Sequence, residues 1–460
     1  MKDGRPIRLR EVELPDFGMP EASPRIPVAV HEGRLAELQR RADAAGYDHV
    51  VVYADREHSA NLSYLTGFDP RFEEALLVIG TGGDPSILVG NECVGMAEAA
   101  PLRMDVRLFP ELSLPGQPDR VGATLQSVLA SLGIGSGDRI GVVGWKGLAG
   151  PHRIDLPAFV VDDLRALTGS TDLVVNATDM LINAADGMRV INEVEQLAYF
   201  EHAACQTSTG VRRLLFDIEP GVTEQEAVQL LHWSGAPLSC HLMLTAGERA
   251  ALGLLSPSDR LIGRGDPMTV AFGIWGALNC RAGFVVADAE ELPSSISDYV
   301  DRLVAPYFGA VVEWYEALHV GQTGGALWEI VDRRLGDPFF GIFLNPGHQI
   351  HLDEWVNSPV SPGSHIELRS GMAMQVDIIP ATGTPYFTTN IEDGIALADS
   401  ALRERFAAAY PEAWDRIEAR REFMIEVLGI DLHPDVLPFS NIPAYLAPYF
   451  LAPNRVMAAI

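Results

Sequence analysis

Residues 263–287, GRGDPMTVAFGIWGALNCRAGFVVA, decide how the second half of this chain folds. They contain two apolar runs, PMTVAFGIWGAL and NCRAGFVVA. Both runs contain residues that favour β-strands, and they follow each other closely along the chain. The stretch therefore predicts a β-hairpin.

Helices and further strands are predicted around this hairpin. Before it, residues 189–218 show the apolar spacing of one long helix, and a second helix begins at Thr223, where Glu226 completes a capping box. After it come two helical patterns, the strands GMAMQVDIIP and NIEDGIALA, and a tail from Leu402 that is helical and then rich in proline. We predict that residues 184–460 form one α+β domain with a C-terminal extension.

The first half of the chain has a different pattern. Between residues 31 and 183, buried strands such as HVVVYA, ALLVIG and RIGVVG alternate with amphipathic helices. This alternation predicts a separate α/β domain with helices around a mixed sheet. Residues 1–30 are rich in proline and charge and show no period, so we expect an extended N-terminal arm.

Composition restricts the classes of function. The 460 residues carry a formal charge of −28, which disfavours nucleic acid and weakly favours a cationic or zwitterionic small molecule. No apolar run is long enough to cross a membrane, and the N-terminus lacks the apolar segment of a secretory signal, so we expect a cytoplasmic protein. The four cysteines show no paired spacing and predict neither a disulfide framework nor a zinc site.

Seven phrases of the sequence resemble, in order, those of creatinase, prolidase and aminopeptidase P. They are NLSYLTGF, RVINEVEQL, PGVTEQEA, GRGDPMTVAFG, GHQIHLDEW, GMAMQVDIIP and NIEDGIAL. The resemblance covers nearly the whole chain. It implies a creatinase-like α/β N-terminal domain, a pita-bread catalytic domain and a homodimer in which one chain's N-terminal domain closes over the other's pocket.

The same resemblance identifies five positions of a possible metal site. Dinuclear members hold two metal ions with two aspartates, one histidine and two glutamates, because bridging carboxylates must neutralise two nearby cations. Here the two aspartate positions are Ala271 and Ala282, and the other three are His348, Asp377 and Glu392. The remaining carboxylates are too few for a metal pair, so we expect no cofactor or, alternatively, one divalent ion on His348, Asp377 and Glu392.

Loss of both aspartates resembles creatinase, which hydrolyses a C–N bond of a guanidino compound without metal. We therefore predict a metal-independent hydrolase of a C–N or related bond in a small amidino or amino-acid-like substrate. His241 matches the histidine that moves the proton, His348 is a second candidate, and Asp377 with Glu392 would hold the cationic group. The non-catalytic interpretation of His241 is a half-buried histidine bonded to backbone.

Five more residues are candidates for binding the substrate. Arg71 and Phe72 match the region that holds a carboxylate across the creatinase dimer, whereas Trp275 and Arg281 lie on the predicted hairpin and His351 lies close to His348. The alternative role for Trp275 is packing in the core. The alternative role for Arg281 is an ion pair with a carboxylate of the site.

Two other functions fit the same residues. One is a mononuclear metalloenzyme, a peptidase-like hydrolase or lyase, to which His351 or Glu354 adds a ligand. The other is a non-catalytic binding protein that keeps the fold. Metal analysis separates the mononuclear metalloenzyme from a metal-free hydrolase. A His241 variant without effect on turnover would favour the binding protein.

Overall fold

The computed structural model describes residues 5–80, 82–117 and 122–460. The chain divides into two compact units. One unit is Arg25–Arg189, and the other combines the segment up to Pro24 with Val190–Ile460. The first strand of the chain, β1 (Ile7–Glu11), belongs to the second unit.

The unit Arg25–Arg189 is built on a six-stranded mixed sheet. Its strands are β2 (His49–Ala54), β3 (Ala75–Gly80), β4 (Ser86–Val89), β5 (Asp105–Leu108), β6 (Ile140–Val143) and β7 (Val174–Asn176). Its helices are α1 (Val28–Ala44), α2 (Ala60–Thr66), α3 (Val94–Glu98), α4 (Leu125–Ser131), α5 (Ala158–Thr168) and α6 (Asp179–Ile182). The strand order is β5-β4-β3-β2-β6-β7, with β3 antiparallel to both its neighbours and the other pairs parallel. The predicted α/β domain is confirmed.

The second unit contains a seven-stranded antiparallel sheet. Its strands are β8 (Met243–Ala246), β9 (Pro267–Ile274), β10 (Ala277–Phe284), β11 (His348–Gln349), β12 (Ala373–Asp377), β13 (Asn390–Leu397) and β14 (Val436–Pro438). The order is β11-β12-β13-β10-β9-β8, and β14 pairs with β13. The predicted hairpin is β9 with β10.

Six helices accompany this sheet. They are α7 (Val194–Asp217), α8 (Glu224–Ala227), α9 (Ala305–Ala317), α10 (Gly324–Leu335), α11 (Ser400–Ala409) and α12 (Pro411–Glu422). Helix α8 begins with the predicted capping box, in which the Thr223 hydroxyl accepts from the Glu226 amide and the Glu226 carboxylate accepts from the Thr223 amide. A π-helical turn, Val300–Val304, precedes α9.

Helix α7 packs against one face of the hairpin. The Thr207 hydroxyl of α7 donates to the Asn279 amide oxygen at 2.7 Å, and Gly210 lets α7 pass close to the Leu231 carbonyl and the Phe272 ring. Because side chains alternate along a strand, the residues next to Asn279, such as Cys280, point to the other face of the sheet. That other face carries the candidate site.

The N-terminal segment differs from the expected arm. β1 pairs antiparallel with a C-terminal strand, β15 (Arg455–Ala459), from Ile7 opposite Ala459 to Glu11 opposite Arg455. The Arg212 guanidinium also donates to the carbonyls of Leu14 and Pro15. Residues up to Pro24 thus belong with the C-terminal unit, and the N-terminal unit begins at Arg25 and ends at Arg189 rather than spanning 31–183. Local periodicity did not reveal this because β1 finds its partner more than 400 residues away.

Among the described residues, no helix combines the length and apolar character needed to cross a membrane.

Candidate active site

One row of side chains crosses five strands of the antiparallel sheet. The strand registers place Asp377 opposite Glu392, Glu392 opposite Cys280, Cys280 opposite Ala271, and Ala271 opposite Met243. Directly opposed residues share a sheet face, with their Cβ atoms roughly 5 Å apart. The row therefore brings two carboxyl groups, a thiol and a methyl group side by side on the face away from α7.

The two alanines at the family's aspartate positions lie on this same face. Ala282 is two residues along β10 from Cys280 and pairs with Asn390 on β13. Two-residue spacing keeps side chains on one face of a strand. Methyl groups thus occupy the sheet face of Glu392 and Asp377 at the two positions where the resemblance implies carboxylates.

His348 joins the row from strand β11. Its register partner on β12 is Gln375, two residues before Asp377 and therefore on the same face. Its Nε2 atom lies 3.3 Å from Glu354 Oε1, 3.4 Å from Glu392 Oε1 and 3.9 Å from Asp377 Oδ2. The imidazole is completely buried, and Asp377 and Glu392 are nearly so, whereas the Glu354 side chain keeps 26 % of its surface exposed.

Two neighbours orient the His348 ring. The Trp355 indole stacks on it with centroids 4.1 Å apart and an interplanar angle of 15°. Nδ1 lies 3.3 Å from the Gln349 carbonyl oxygen, which can only accept, so a proton on Nδ1 points to that oxygen. In the neutral ring, the Nε2 lone pair then faces the carboxyl groups and can take a proton or a metal ion.

Burial changes the protonation of the carboxyl groups. Asp377 keeps 4 % of its surface exposed, and desolvation together with the neighbouring Glu392 raises its pKa to about 8. Desolvation also raises the pKa of Glu392 and of Glu354. Because the groups interact, they titrate as one coupled cluster. At neutral pH the carboxyl groups of the cluster therefore retain protons. A bound cation would stabilise their ionised forms, so the cluster would release protons and become more negative.

Two thiols lie near these acids. The Cys280 thiol donates to Glu392 Oε2 at 2.8 Å, and burial followed by the negative field of Glu392 raises its pKa well above the usual range. Burial raises the pKa of Cys240 to about 12, with contributions from Glu354 and Glu392. Both thiols are therefore protonated at rest.

The side chains present fit one metal ion better than two. One ligand atom each from His348, Glu354 and Glu392 lies within 4.8 Å of the others, and these three are the one such group among the described residues. An imidazole with two carboxylates is an ordinary donor set for a single divalent cation. A pair of ions does not fit, because Ala271 and Ala282 leave too few carboxylates to offset their repulsion. The ligand set expected from the sequence named Asp377 where this group has Glu354.

The structure does not place Arg281 in the site, contrary to the substrate-binding prediction. Its side chain points to the α7 side of the sheet, where the guanidinium donates to both oxygens of Asp393 at 3.0 and 2.8 Å. Both side chains are 1 % exposed. Strand alternation explains the difference, since residue 281 lies between Cys280 and Ala282 and must face the opposite way.

Trp275 also lies apart from the cluster. Trp275 is in the turn between β9 and β10, four residues from Ala271, which corresponds to roughly 13 Å along a strand. This distance separates Trp275 from Ala271, and its predicted role in binding the substrate stays a prediction. His351 is buried and meets the Phe200 ring edge to face, with centroids 5.1 Å apart.

His241 lies just before β8 and is exposed. Its Nε2 is 2.7 Å from the Leu254 carbonyl oxygen, to which it donates. The contact to backbone matches the non-catalytic interpretation, but the side chain is exposed rather than half-buried. The role of His241 in proton transfer stays a prediction.

Arg71 and Phe72 belong to the N-terminal unit. The Arg71 guanidinium donates to the Asp69 carboxylate at 3.1 Å, whereas the Phe72 side chain is half exposed. Their predicted contact with a partner chain's substrate also stays a prediction.

Sequence reasoning missed the importance of Cys280 and Trp355 and treated Glu354 only as a possible extra ligand. The position of Cys280 in the site could have been predicted from the sequence, because it lies two residues before Ala282 on a predicted strand and must share its face. Trp355 and Glu354 lie in an irregular segment after β11, for which no periodicity defines a direction.

Comparison with solved structures supports the architecture. The prolidase from Pyrococcus horikoshii matches with a TM-score of 0.62 at 18 % identity, over 80 % of this chain and 95 % of that one. The chain has the fold of prolidases and X-Pro peptidases. The pita-bread fold recurs in the Xaa-Pro dipeptidase from Bacillus anthracis (TM-score 0.61, 18 % identity, 81 % and 96 % covered) and the X-Pro aminopeptidase from Thermotoga maritima (0.61, 16 %, 79 % and 95 %).

No family model matches the sequence, and no protein with a curated description matches it either. At these identities the likeness establishes the pita-bread fold that the resemblance implied. The chemistry has to be argued from the residues of the site.

Proposed function

We propose that this protein is a peptidase-like hydrolase of the creatinase and prolidase type that cleaves a C–N bond without a metal pair. The observation that carries the proposal is the cluster in which His348 Nε2 meets Glu354, Glu392 and Asp377 within 3.3–3.9 Å, while Ala271 and Ala282 occupy the aspartate positions. The cluster keeps acid–base groups but lacks the charge that two metal ions need.

A cationic substrate suits this cluster. Asp377 and Glu392 are opposed in register and buried, and the guanidinium of Arg281 is bound to Asp393 on the other sheet face. An amidinium, guanidinium or ammonium group would supply the missing positive charge and donate hydrogen bonds to both carboxylates. The negative net charge of the chain is compatible with such a ligand.

Proton transfer is assigned to the histidines. His348 is placed to exchange a proton with the carboxyl groups through Nε2, and a histidine can do so near neutral pH. His241 remains the proton carrier suggested by the resemblance to creatinase, and this role requires its ring to leave the Leu254 carbonyl. Parallel His241→Gln and His348→Gln variants assign the step: loss of kcat in only one identifies the carrier.

The test begins with protein purified without added metal. Small guanidino acids, amidines and X-Pro dipeptides are offered before and after dialysis against a chelator, and bound metal is measured by elemental analysis. We expect turnover of a cationic C–N substrate that survives chelation. Activity that disappears on chelation and returns with one equivalent of a divalent ion would overturn the metal-independent mechanism.

A mononuclear metalloenzyme is the second candidate, and the group His348, Glu354 and Glu392 favours it. A bound divalent ion would polarise a carbonyl or activate a water molecule. These three side chains would hold it, and Asp377 Oδ2 lies 3.9 Å from His348 Nε2, at the edge of the same site. Stoichiometric metal in the purified protein supports this alternative.

The remaining predictions are also proposals. A homodimer with Arg71 and Phe72 contacting the partner's substrate is tested by sedimentation and by kinetics of a Phe72→Ala variant. A cytoplasmic location is tested by fractionation. A binding protein without catalysis would bind a cationic ligand and turn over none of the panel.

A further inference from the structure

Cys280 occupies the centre of the row that crosses the sheet. It lies between Ala271 on one neighbouring strand and Glu392 on the other, and it retains 7 % of its surface exposed. The side chain opposite, Ala271, is only a methyl group. The thiol hydrogen points to Glu392 Oε2 at 2.8 Å, and Glu392 Oε1 lies 3.4 Å from His348 Nε2. The thiol of Cys280, the carboxyl group of Glu392 and the imidazole of His348 thus form a chain of neighbouring groups, in the order nucleophile, base and imidazole.

A second observation points to a ligand at this thiol. Asp377 Oδ1 is buried and has no hydrogen-bond partner among the described residues, and its other oxygen is 3.9 Å from His348 Nε2. Asn390, which pairs with Ala282 on the same sheet face, likewise has a buried Oδ1 without a partner in that part of the chain. Buried acceptors are normally satisfied. A planar cation with several N–H groups would satisfy both.

We propose that Cys280 is the nucleophile of this site and attacks the amidino carbon of a cationic substrate held by Asp377. The proposal rests on the proposed function, since it uses the same cationic substrate. It replaces a direct attack by water with two steps through a covalent intermediate.

The reaction balances without a further reactant. In the first step the Cys280 thiol proton passes to Glu392 as sulfur bonds to the amidino carbon, and the C–N bond to the leaving amine breaks as that nitrogen takes the proton. The intermediate is an S-linked amidinium on Cys280. In the second step water adds to the same carbon and the C–S bond breaks; one proton returns to the sulfur and the other passes through Glu392 to the released amine, which leaves as an ammonium ion. A guanidine substrate yields an amine and urea.

The environment of the thiol makes this reactivity selective. The carboxyl groups of Glu392 and Asp377 lie on successive strands beside Cys280, and Asp377 Oδ1 has no hydrogen-bond partner among the described residues. These oxygens attract a positively charged reagent to the thiol and offer a neutral reagent of the same size no such attraction. Cys280 should therefore prefer a cationic electrophile over a neutral one of the same size.

The experiment compares 2-chloroacetamidine with 2-chloroacetamide on the folded full-length Cys240→Ser protein. Peptide mass mapping follows alkylation of Cys280, with the buried Cys93 and Cys205 as internal references, and each rate is divided by that of N-acetylcysteine at the same pH. We expect a normalised preference for the amidine of about tenfold or more. Equal normalised rates, or no modification of Cys280, would overturn the proposal.

Charge variants show where the preference comes from. Asp377→Asn should lower the amidine rate about tenfold and leave the amide rate unchanged, whereas Asp288→Asn, beyond the end of β10, should change neither. An equal loss in both variants would contradict a local site.

Turnover separates this inference from the proposed function. Hydrolysis that is unchanged in Cys280→Ser removes the nucleophile role and leaves the hydrolase intact. A wild-type protein that turns over no cationic C–N substrate and shows no preference for the amidine overturns both.

Discussion

At the scale of single residues, the direction of each side chain on strand β10 decides its role. Cys280 and Ala282 face the acid cluster, whereas Asn279 and Arg281 face α7 and bind Thr207 and Asp393. Neighbouring residues of β10 thus have different roles, in the candidate site or in packing against α7, because successive side chains of a strand point to opposite faces.

The ion pair between Arg281 and Asp393 should be structural. Arg281→Met leaves the Asp393 carboxylate buried beside the α7 face without its cation, and we expect a loss of about 3–5 kcal/mol in the free energy of unfolding. Arg264→Met, which removes an exposed partner of Glu291, should cost far less because solvent screens that pair. Urea denaturation of both variants measures the difference, and equal losses would contradict the assignment.

Asp377 should make stability depend on pH. Its pKa rises from the ordinary 3.8 to about 8, so the folded state binds this proton more tightly than the unfolded state. Its contribution to stability is then full below pH 4 and is lost as the pH rises towards 8. Asp377→Asn stays neutral, and we expect it to exceed the parent by at least about 1.4 kcal/mol at pH 9 and to equal it at pH 4.

Denaturation series at both pH values check this prediction. The matched control is Glu404→Gln, an exposed carboxyl on α11, which should follow the parent throughout. A parallel pH dependence in Asp377→Asn and the parent would show that Asp377 ionises normally in the folded protein.

At the scale of elements, helix α7 positions the site by supporting the hairpin from behind. The long helix, the hairpin and the capping box of α8 were predictable from the sequence, because periodicity and capping residues are local properties. The short strand β11, which carries His348, has only two residues and no period of its own. Its place was predictable only through the resemblance of GHQIHLDEW.

The close packing of α7 on the hairpin can be measured at Gly210. A Cβ atom there would lie 2.7 Å from the Leu231 carbonyl oxygen and 3.1 Å from the Phe272 ring. We expect Gly210→Ala to destabilise the protein by about 1–3 kcal/mol. Gly33→Ala in α1, where nothing lies within 4 Å of the added atom, should instead stabilise by roughly 0.5–1 kcal/mol. Thermal denaturation distinguishes the two signs.

At the scale of the whole molecule, a strand near the start of the sequence pairs with a strand near its end. Strand β1 completes a two-stranded sheet with β15, so the C-terminal unit is built from both ends of the sequence. Such a pairing leaves little trace in local composition, which is why residues 1–30 predicted only an extended arm.

Removing residues 1–12 should therefore weaken the C-terminal unit. We expect a lower unfolding midpoint for that unit and faster hydrogen exchange in β15, whose backbone groups lose their partners. The sheet of strands β2–β7 is the internal control and should exchange as before. Unchanged protection of β15 would mean that the β1–β15 ladder contributes no stability.

The sequence alone determined the α/β and α+β domains, the hairpin, the loss of both aspartates and the identity of His348, Asp377 and Glu392 as site residues to examine. These conclusions depend on local period and on the order of motifs. Only the tertiary structure decided which groups meet: Glu354 and Cys280 join the cluster, whereas Arg281 and Trp275 do not. Contacts between distant segments are set by strand register and by irregular loops, and neither can be read from local periodicity.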